Sequence, residues 1–133
     1  MSKRIKIMLI DDNKIDLFIN NQFITQMNIA DAIIEYPVAV EALNILQEND
    51  ASKWPDLILC DIHMPVMSGF KFLEEYALLP ESLRKNCNII MISSSLDERD
   101  RVKALENPMV LALLEKPINV AELKRLLEKE NLI

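Results

Sequence analysis

Two stretches of this chain, Leu57-Ile58-Leu59-Cys60 and Ile89-Ile90-Met91-Ile92, are apolar at every consecutive position. A strand with one wet face alternates apolar and polar residues, whereas an all-apolar strand needs cover on both faces, as in the middle of a parallel sheet. These stretches belong to runs 56–60 and 88–92, and three further β-type runs occupy 5–10, 32–36 and 110–114. Helical spacing fills the intervals. Ile15, Phe18, Ile19, Phe23 and Met27 make one stripe; Ala39, Ala42, Leu43 and Leu46 a second; Phe70, Leu73 and Ala77 a third. After residue 95 the pattern is weaker, with Val102 and Leu105 in place and Ser95-Leu96-Asp97-Glu98 in capping-box form. The last helix is better marked: Asn119 suits an N-cap, Glu122 the N3 position, Ile118 a staple to Leu123, and Leu123, Leu126 and Leu127 an inner face. Strand and helix alternating five times predicts a three-layer α/β sandwich with right-handed crossovers, and residues 80–86 read as a polar connection.

Rare residues and charge narrow the function. The 133 residues suit a single domain spanning 1–133. Fifteen basic against 21 acidic residues give a net charge of −6, the wrong sign for holding nucleic-acid phosphates. Gly69 is the only glycine, which excludes the Gly-rich phosphate loops, and His63 is the only histidine, which excludes two-His zinc sites. Cys60 and Cys87 form no CxxC pair, and Cys60, ending an apolar run, reads as a buried reduced thiol. No apolar stretch approaches the roughly 20 residues that span a bilayer. Lys6 and Asp11 break up the first apolar run, so no secretory signal is read and a cytoplasmic location is expected. Trp54-Pro55 is expected to pack under a loop, and Met64, Met67, Met91 and Met109 to fill gaps in the core.

In an open parallel sheet, ligands bind beyond the carboxyl ends of the strands. Asp11 and Asp12 follow the first run, Asp61 the third, Ser93-Ser94-Ser95 the fourth, and Lys116-Pro117 the fifth. Three carboxylates, a hydroxyl and an ammonium are thereby directed to one sheet edge. Carboxylates so close repel by several kcal/mol per pair at an effective dielectric near 20, and Mg²⁺ best offsets that, since it takes carboxylates, waters and phosphate oxygens. A carboxylate there, with metal, hydroxyl and ammonium beside it, can take a phosphoryl group as nucleophile. Taken singly, Asp12 reads as a helix N-cap, Asp61 as a strand end, and His63 as a solvated side chain.

The ordered set Ile10-Asp11-Asp12, Asp61-Ile62-His63-Met64-Pro65-Val66-Met67-Ser68-Gly69, Ile92-Ser93-Ser94 and Glu115-Lys116-Pro117 resembles the receiver domain of two-component response regulators over essentially the whole chain. The resemblance implies a flavodoxin-like sandwich with a five-stranded parallel sheet in the order 2-1-3-4-5. It implies that Asp61 accepts phosphate from a phosphohistidine on a sensor histidine kinase or histidine phosphotransfer protein. Mg²⁺ would be held by Asp11, Asp12, Asp61 and the main-chain carbonyl of His63; Ser93 would be the switch hydroxyl and Lys116 the phosphate-pairing cation. The role is that of a signalling phosphoacceptor rather than an enzyme acting on other substrates. No effector domain is expected to follow, so output is expected through a separate downstream protein, with neither nucleic acid nor membrane as partner.

The chain departs from the family pattern in three ways. Ser93 and Ser94 both compete for the switch position: Ser93 keeps the strand register, while Ser94 restores the usual spacing to Lys116, and the extra residue falls within 107–110. Leu113 stands where many receivers carry an aromatic residue that changes rotamer. His63 and Ser95 hold the two variable positions that in the family influence the lifetime of the acyl phosphate. Aspartyl-nucleophile phosphatases commonly place a second Asp two residues after the first, where this chain has His63. A flavin-binding protein of this fold would want a glycine-rich loop after the first strand, where this chain has Asp11-Asp12-Asn13-Lys14.

Overall fold

A computed structural model describes residues 3–95 and 97–133. Among them are five strands, β1 (Ile5–Ile10), β2 (Ala30–Tyr36), β3 (Leu57–Asp61), β4 (Asn88–Ser93) and β5 (Val110–Glu115). All neighbouring pairs run parallel, in the order β2-β1-β3-β4-β5. The expected sandwich and strand order are therefore present. The helices are α1 (Lys14–Met27), α2 (Ala39–Leu46), α3 (Gly69–Tyr76), a short α4 (Glu81–Arg84), α5 (Glu98–Glu106) and α6 (Val120–Lys129), with a 3₁₀ turn at Ala51–Lys53.

The period of two along each strand divides the core in half. Met8, Ile10, Ile58, Cys60, Ile89 and Met91 face α2, α3 and α5, where Leu43, Leu46, Phe72 and Ala104 meet them. Ile7, Leu9, Leu57, Leu59, Ile90 and Ile92 face α1 and α6, where Leu17, Ile24, Leu123 and Leu127 meet them. Every residue of β3 is buried, as an all-apolar central strand requires. Trp54 is buried as well, its Nε1–H donating to the Leu46 carbonyl at 3.2 Å and its ring 5.8 Å from Tyr76. Met91 lies in the core, and Met64, Met67 and Met109 pack on its margin. Cys60 and Cys87 are free thiols, and burial pushes that of Cys87 up to about 12.

Several sequence expectations need correction. The stripe on α1 is its inner face only in part: Phe23 and Met27 pack on the core, but Leu17, Asn20 and Ile24 are the buried residues, and Ile15 and Phe18 are 70% and 64% exposed. This helix carries more apolar residues than one face can hold, so periodicity alone does not choose between faces. On α3 the inward residues are Phe72, Leu73 and Tyr76, with Ala77 exposed at its end. On α5 it is Ala104 that is buried, with Val102 and Leu105 outward, so this polar helix packs through one methyl group. Its N-cap is Asp97, whose carboxylate accepts from Arg99 N–H at 2.8 Å; Ser95 does not cap it, and Leu96 lies outside the described residues. Asn13, not Asp12, caps α1, and the stretch read as a polar connection contains α4. Asn119 caps α6 as expected, accepting from Glu122 N–H at 3.0 Å.

Candidate functional site

The strand ends assemble an acidic cluster. Asp11 leaves β1 with its backbone N–H donating to the Tyr36 carbonyl at 3.2 Å, and its Oδ1 accepts from Asn13 N–H at 2.9 Å. It is 1% exposed, whereas Asp12 beside it is exposed. Asp61 is the last residue of β3, 5% exposed, and its Oδ1 faces the His63 N–H at 3.4 Å. One carboxylate oxygen from each of Asp11, Asp12 and Asp61 lies within 4.8 Å of the others. Three hard oxygen donors with no thiolate or imidazole among them fit Mg²⁺.

Lys116 closes the cluster from the end of β5. Its side chain is 8% exposed, and its Nζ lies 2.6 Å from Asp11 Oδ2, 2.9 Å from Asp16 Oδ2 and 3.4 Å from Asp61 Oδ2. Its backbone N–H donates to the Ser93 carbonyl at 2.8 Å, tying this loop to the end of β4, and the peptide bond to Pro117 is cis. Burial works against the ammonium charge, but hydrogen bonds to Asp11 and Asp16 and the surrounding carboxylates outweigh it and hold the pKa above the ordinary lysine value. Asp61 moves the other way from an ordinary carboxyl. Burial and then the Asp11 charge raise it to about 6, against the opposing pull of Lys116 and the His63 N–H.

That shift sets a pH dependence. Unfolded, Asp61 ionises near 3.8; folded, it holds its proton to about 6, so this group favours the folded state most at low pH. Its contribution is lost as pH rises from about 4 to about 6 and stays flat above. Urea unfolding of metal-free protein at steps across that window is expected to show the decline. Mg²⁺ held by these carboxylates would compete with this proton, so its apparent affinity is expected to climb about tenfold per pH unit up to about 6 and then level off.

Gly69 explains its own presence. A Cβ there would collide with the Asp61 carbonyl oxygen and stand 3.0 Å from Ile62 Cα, and these backbone atoms at the end of β3 have no room to give. Glycine lets the start of α3 close on the end of β3, with Gly69 N–H donating to the Ile62 carbonyl at 2.9 Å. In the loop between them Val66 is left-handed at φ 66°, a strained conformation for a β-branched residue.

Asp11, Asp12, Asp61 and Lys116 thus meet as the sequence indicated. The Ser93 side chain, 0% exposed, is engaged elsewhere: its hydroxyl donates to the Ser95 carbonyl at 2.7 Å and accepts from Ser95 N–H at 3.1 Å. Ser93 ends β4, while Ser94 is exposed beyond it. His63 is not simply solvated, since its Nε2 lies 2.9 Å from Asp100 Oδ2 on α5. Leu113 is half-buried against the α2–α3 side of the core. Sequence reasoning missed Asp16 and Asp100. The signal for Asp16 was its place one turn into the helix after the acidic pair; Asp100 offered none.

A family model described as response regulator receiver domain matches residues 7–128. The Staphylococcus aureus (strain N315) transcriptional regulatory protein HptR is 36% identical over 88 residues, 66% of this chain and 31% of that protein, so the chain spans about a third of that relative's length. Among solved structures, a response regulator receiver protein from Dyadobacter fermentans DSM 18053 aligns with a TM-score of 0.85 and 32% identity, covering 93% of this chain and 95% of that one. A two component response regulator from Cytophaga hutchinsonii aligns with a TM-score of 0.88 and 29% identity over 96% and 97% of the two chains. Among the described residues no helix is long and apolar enough to cross a membrane.

Proposed function

The chain belongs to the response regulator receiver domain family, and from that premise we propose that Asp61 is its phosphoacceptor. The observation that carries this reading is the Lys116 ammonium, buried and 3.4 Å from Asp61 at the carboxyl edge of the sheet, with Asp11 sharing the same cation. An ionised Asp61 oxygen attacks the phosphorus of a phosphohistidine. The new P–O bond forms as the P–N bond breaks, and the imidazole nitrogen leaves with that electron pair. Asp11, Asp12, Asp61 and the His63 main-chain carbonyl would hold Mg²⁺, which when bound supplies positive charge against the phosphoryl oxygens. Lys116 provides the fixed charge that remains beside the product, and Asp11 keeps that ammonium oriented.

Ser93 is the switch hydroxyl in this reading. Its register at the end of β4 and its carbonyl bond to Lys116 N–H support the assignment over Ser94. An aspartyl phosphate brings strong acceptor oxygens that compete with the Ser95 carbonyl for the Ser93 hydroxyl. Releasing Ser95 moves the loop into α5, and the His63–Asp100 contact makes α5 answer to the acceptor loop as well. Leu113 contributes packing to that face in place of an aromatic rotamer. In this reading the receiver works in the cytoplasm, where a histidine kinase or histidine phosphotransfer protein loads it and an output partner reads it.

Phosphotransfer profiling against the purified histidine kinases of the host tests this. Labelling that needs Mg²⁺ and proceeds fastest with one kinase is the expected result; no transfer from any kinase, nor from acetyl phosphate, overturns it.

A further inference from the structure

The acceptor chemistry leaves one carboxylate of the site without a task. Asp16 lies in the first turn of α1, its side chain 29% exposed, and its Oδ2 accepts a hydrogen bond from Lys116 Nζ at 2.9 Å. A lysine ammonium has three N–H donors, and here three carboxylates surround it. The contacts to Asp11 and Asp16 are short, at 2.6 and 2.9 Å, while that to Asp61 is the longest at 3.4 Å. In the resting protein, then, the cation is committed to the α1 side of the site and only loosely to the acceptor. Asp11 is tied in place by the Asn13 N–H and is buried beside Asp61. Asp16 instead reaches Lys116 from a helix, at the rim, and adds a negative charge that no acceptor step requires.

We propose, resting on the phosphoacceptor reading above, that Asp16 is a positioning residue that detains Lys116 in the resting state and competes with the aspartyl phosphate for its ammonium. Asp11, Asp12, Asp16 and Asp61 against Lys116 leave the fully ionised site at −3, and phosphorylation makes it more negative. Lys116 gains a phosphoryl partner only as its hold on Asp16 loosens, so Asp16 lowers the occupancy of the phosphorylated state. A carboxylate there keeps the switch from saturating under a weak donor.

Calorimetric titration with beryllofluoride, a phosphoryl mimic, in saturating Mg²⁺ tests this. Asp16→Asn should tighten binding on the order of tenfold, within the usual range of couplings between sites, while Asp16→Glu, which restores the charge, should return towards the wild-type value. The half-life of the aspartyl phosphate formed from acetyl phosphate should lengthen in Asp16→Asn. A role confined to helix stability would lower the unfolding midpoint and leave the beryllofluoride affinity unmoved. Adding Lys116→Met separates the route: the gain from Asp16→Asn should largely vanish in that background, and a full gain there would assign the effect to direct repulsion and overturn the competition for lysine. Failure of the wild-type protein to bind beryllofluoride would sink the acceptor reading itself. Wild-type binding with an unchanged or weaker Asp16→Asn would overturn this inference alone.

Discussion

Asp61→Asn protein is expected to take up no phosphoryl group from acetyl phosphate and Mg²⁺, and the wild-type chain to gain one. The substitution keeps size and shape but exchanges an anionic oxygen nucleophile for an amide, so the effect is a loss of chemistry rather than of structure. Other carboxylates near the site are poorly placed to substitute. Asp11 is 1% exposed and already gives both oxygens to Asn13 N–H and Lys116, and Asp16 is taken up by the same ammonium. Asp12 is exposed and is not among the described carboxylates that Lys116 meets. Asparagine also removes a carboxyl held near pH 6, so the metal-free variant should lack the decline in stability between pH 4 and 6 expected of the parent. Intact-mass spectra of both proteins, with unfolding curves across that window, make the check. Persistent labelling of the variant would move the acceptor elsewhere.

Lys116→Ala should be the most destabilising change at the site. Asp11 and Asp61 would then be buried with no cation between them, and removing one partner of a buried pair costs about 3–5 kcal/mol because the other charge stays behind. Some of that is recovered if Asp61 keeps its proton to a still higher pH, so the loss should be larger at pH 7.5 than at pH 5. Mg²⁺ should rescue the variant more than it helps the wild type, since it meets a more negative site. At ten to a hundred times its dissociation constant the linkage gain is about 1.4–2.7 kcal/mol. Urea midpoints with EDTA and with Mg²⁺ at the two pH values test this, and a variant as stable as wild type in EDTA at pH 7.5 would contradict it.

These expectations rest on residues that were legible before any coordinates, and the reason is geometric. A parallel sheet sends whatever follows each strand to one edge, so locating the apolar runs located Asp11, Asp12, Asp61 and Lys116 together. The strands were legible because apolar runs of four need two covered faces, and the inner faces of α2 and α6 because their apolar residues fit a single stripe. Side-chain commitments beyond this were less visible. Asp16 and Lys116 meet only because α1 is rotated to bury Leu17, Asn20 and Ile24, and apolar residues on several faces hid that rotation. Ser95 and Asp97 both suit a cap, and the choice follows from where β4 ends and how Ser93 folds its loop back. The contact of His63 with Asp100 needs α5 in place.

The wide spacing of the site along the chain has a consequence during synthesis. Asp16 and Lys116 are 100 residues apart, and translation at about 5–20 residues per second puts roughly 5–20 s between them. By the end of that interval the nascent chain carries Asp11, Asp12, Asp16 and Asp61, while the lysine that offsets part of their charge does not yet exist. β1 and β3 can pair only by bringing these charges together. Until Lys116 is made, that offset has to come from ions in the surrounding solution, which ties the folding of the growing chain to ionic conditions.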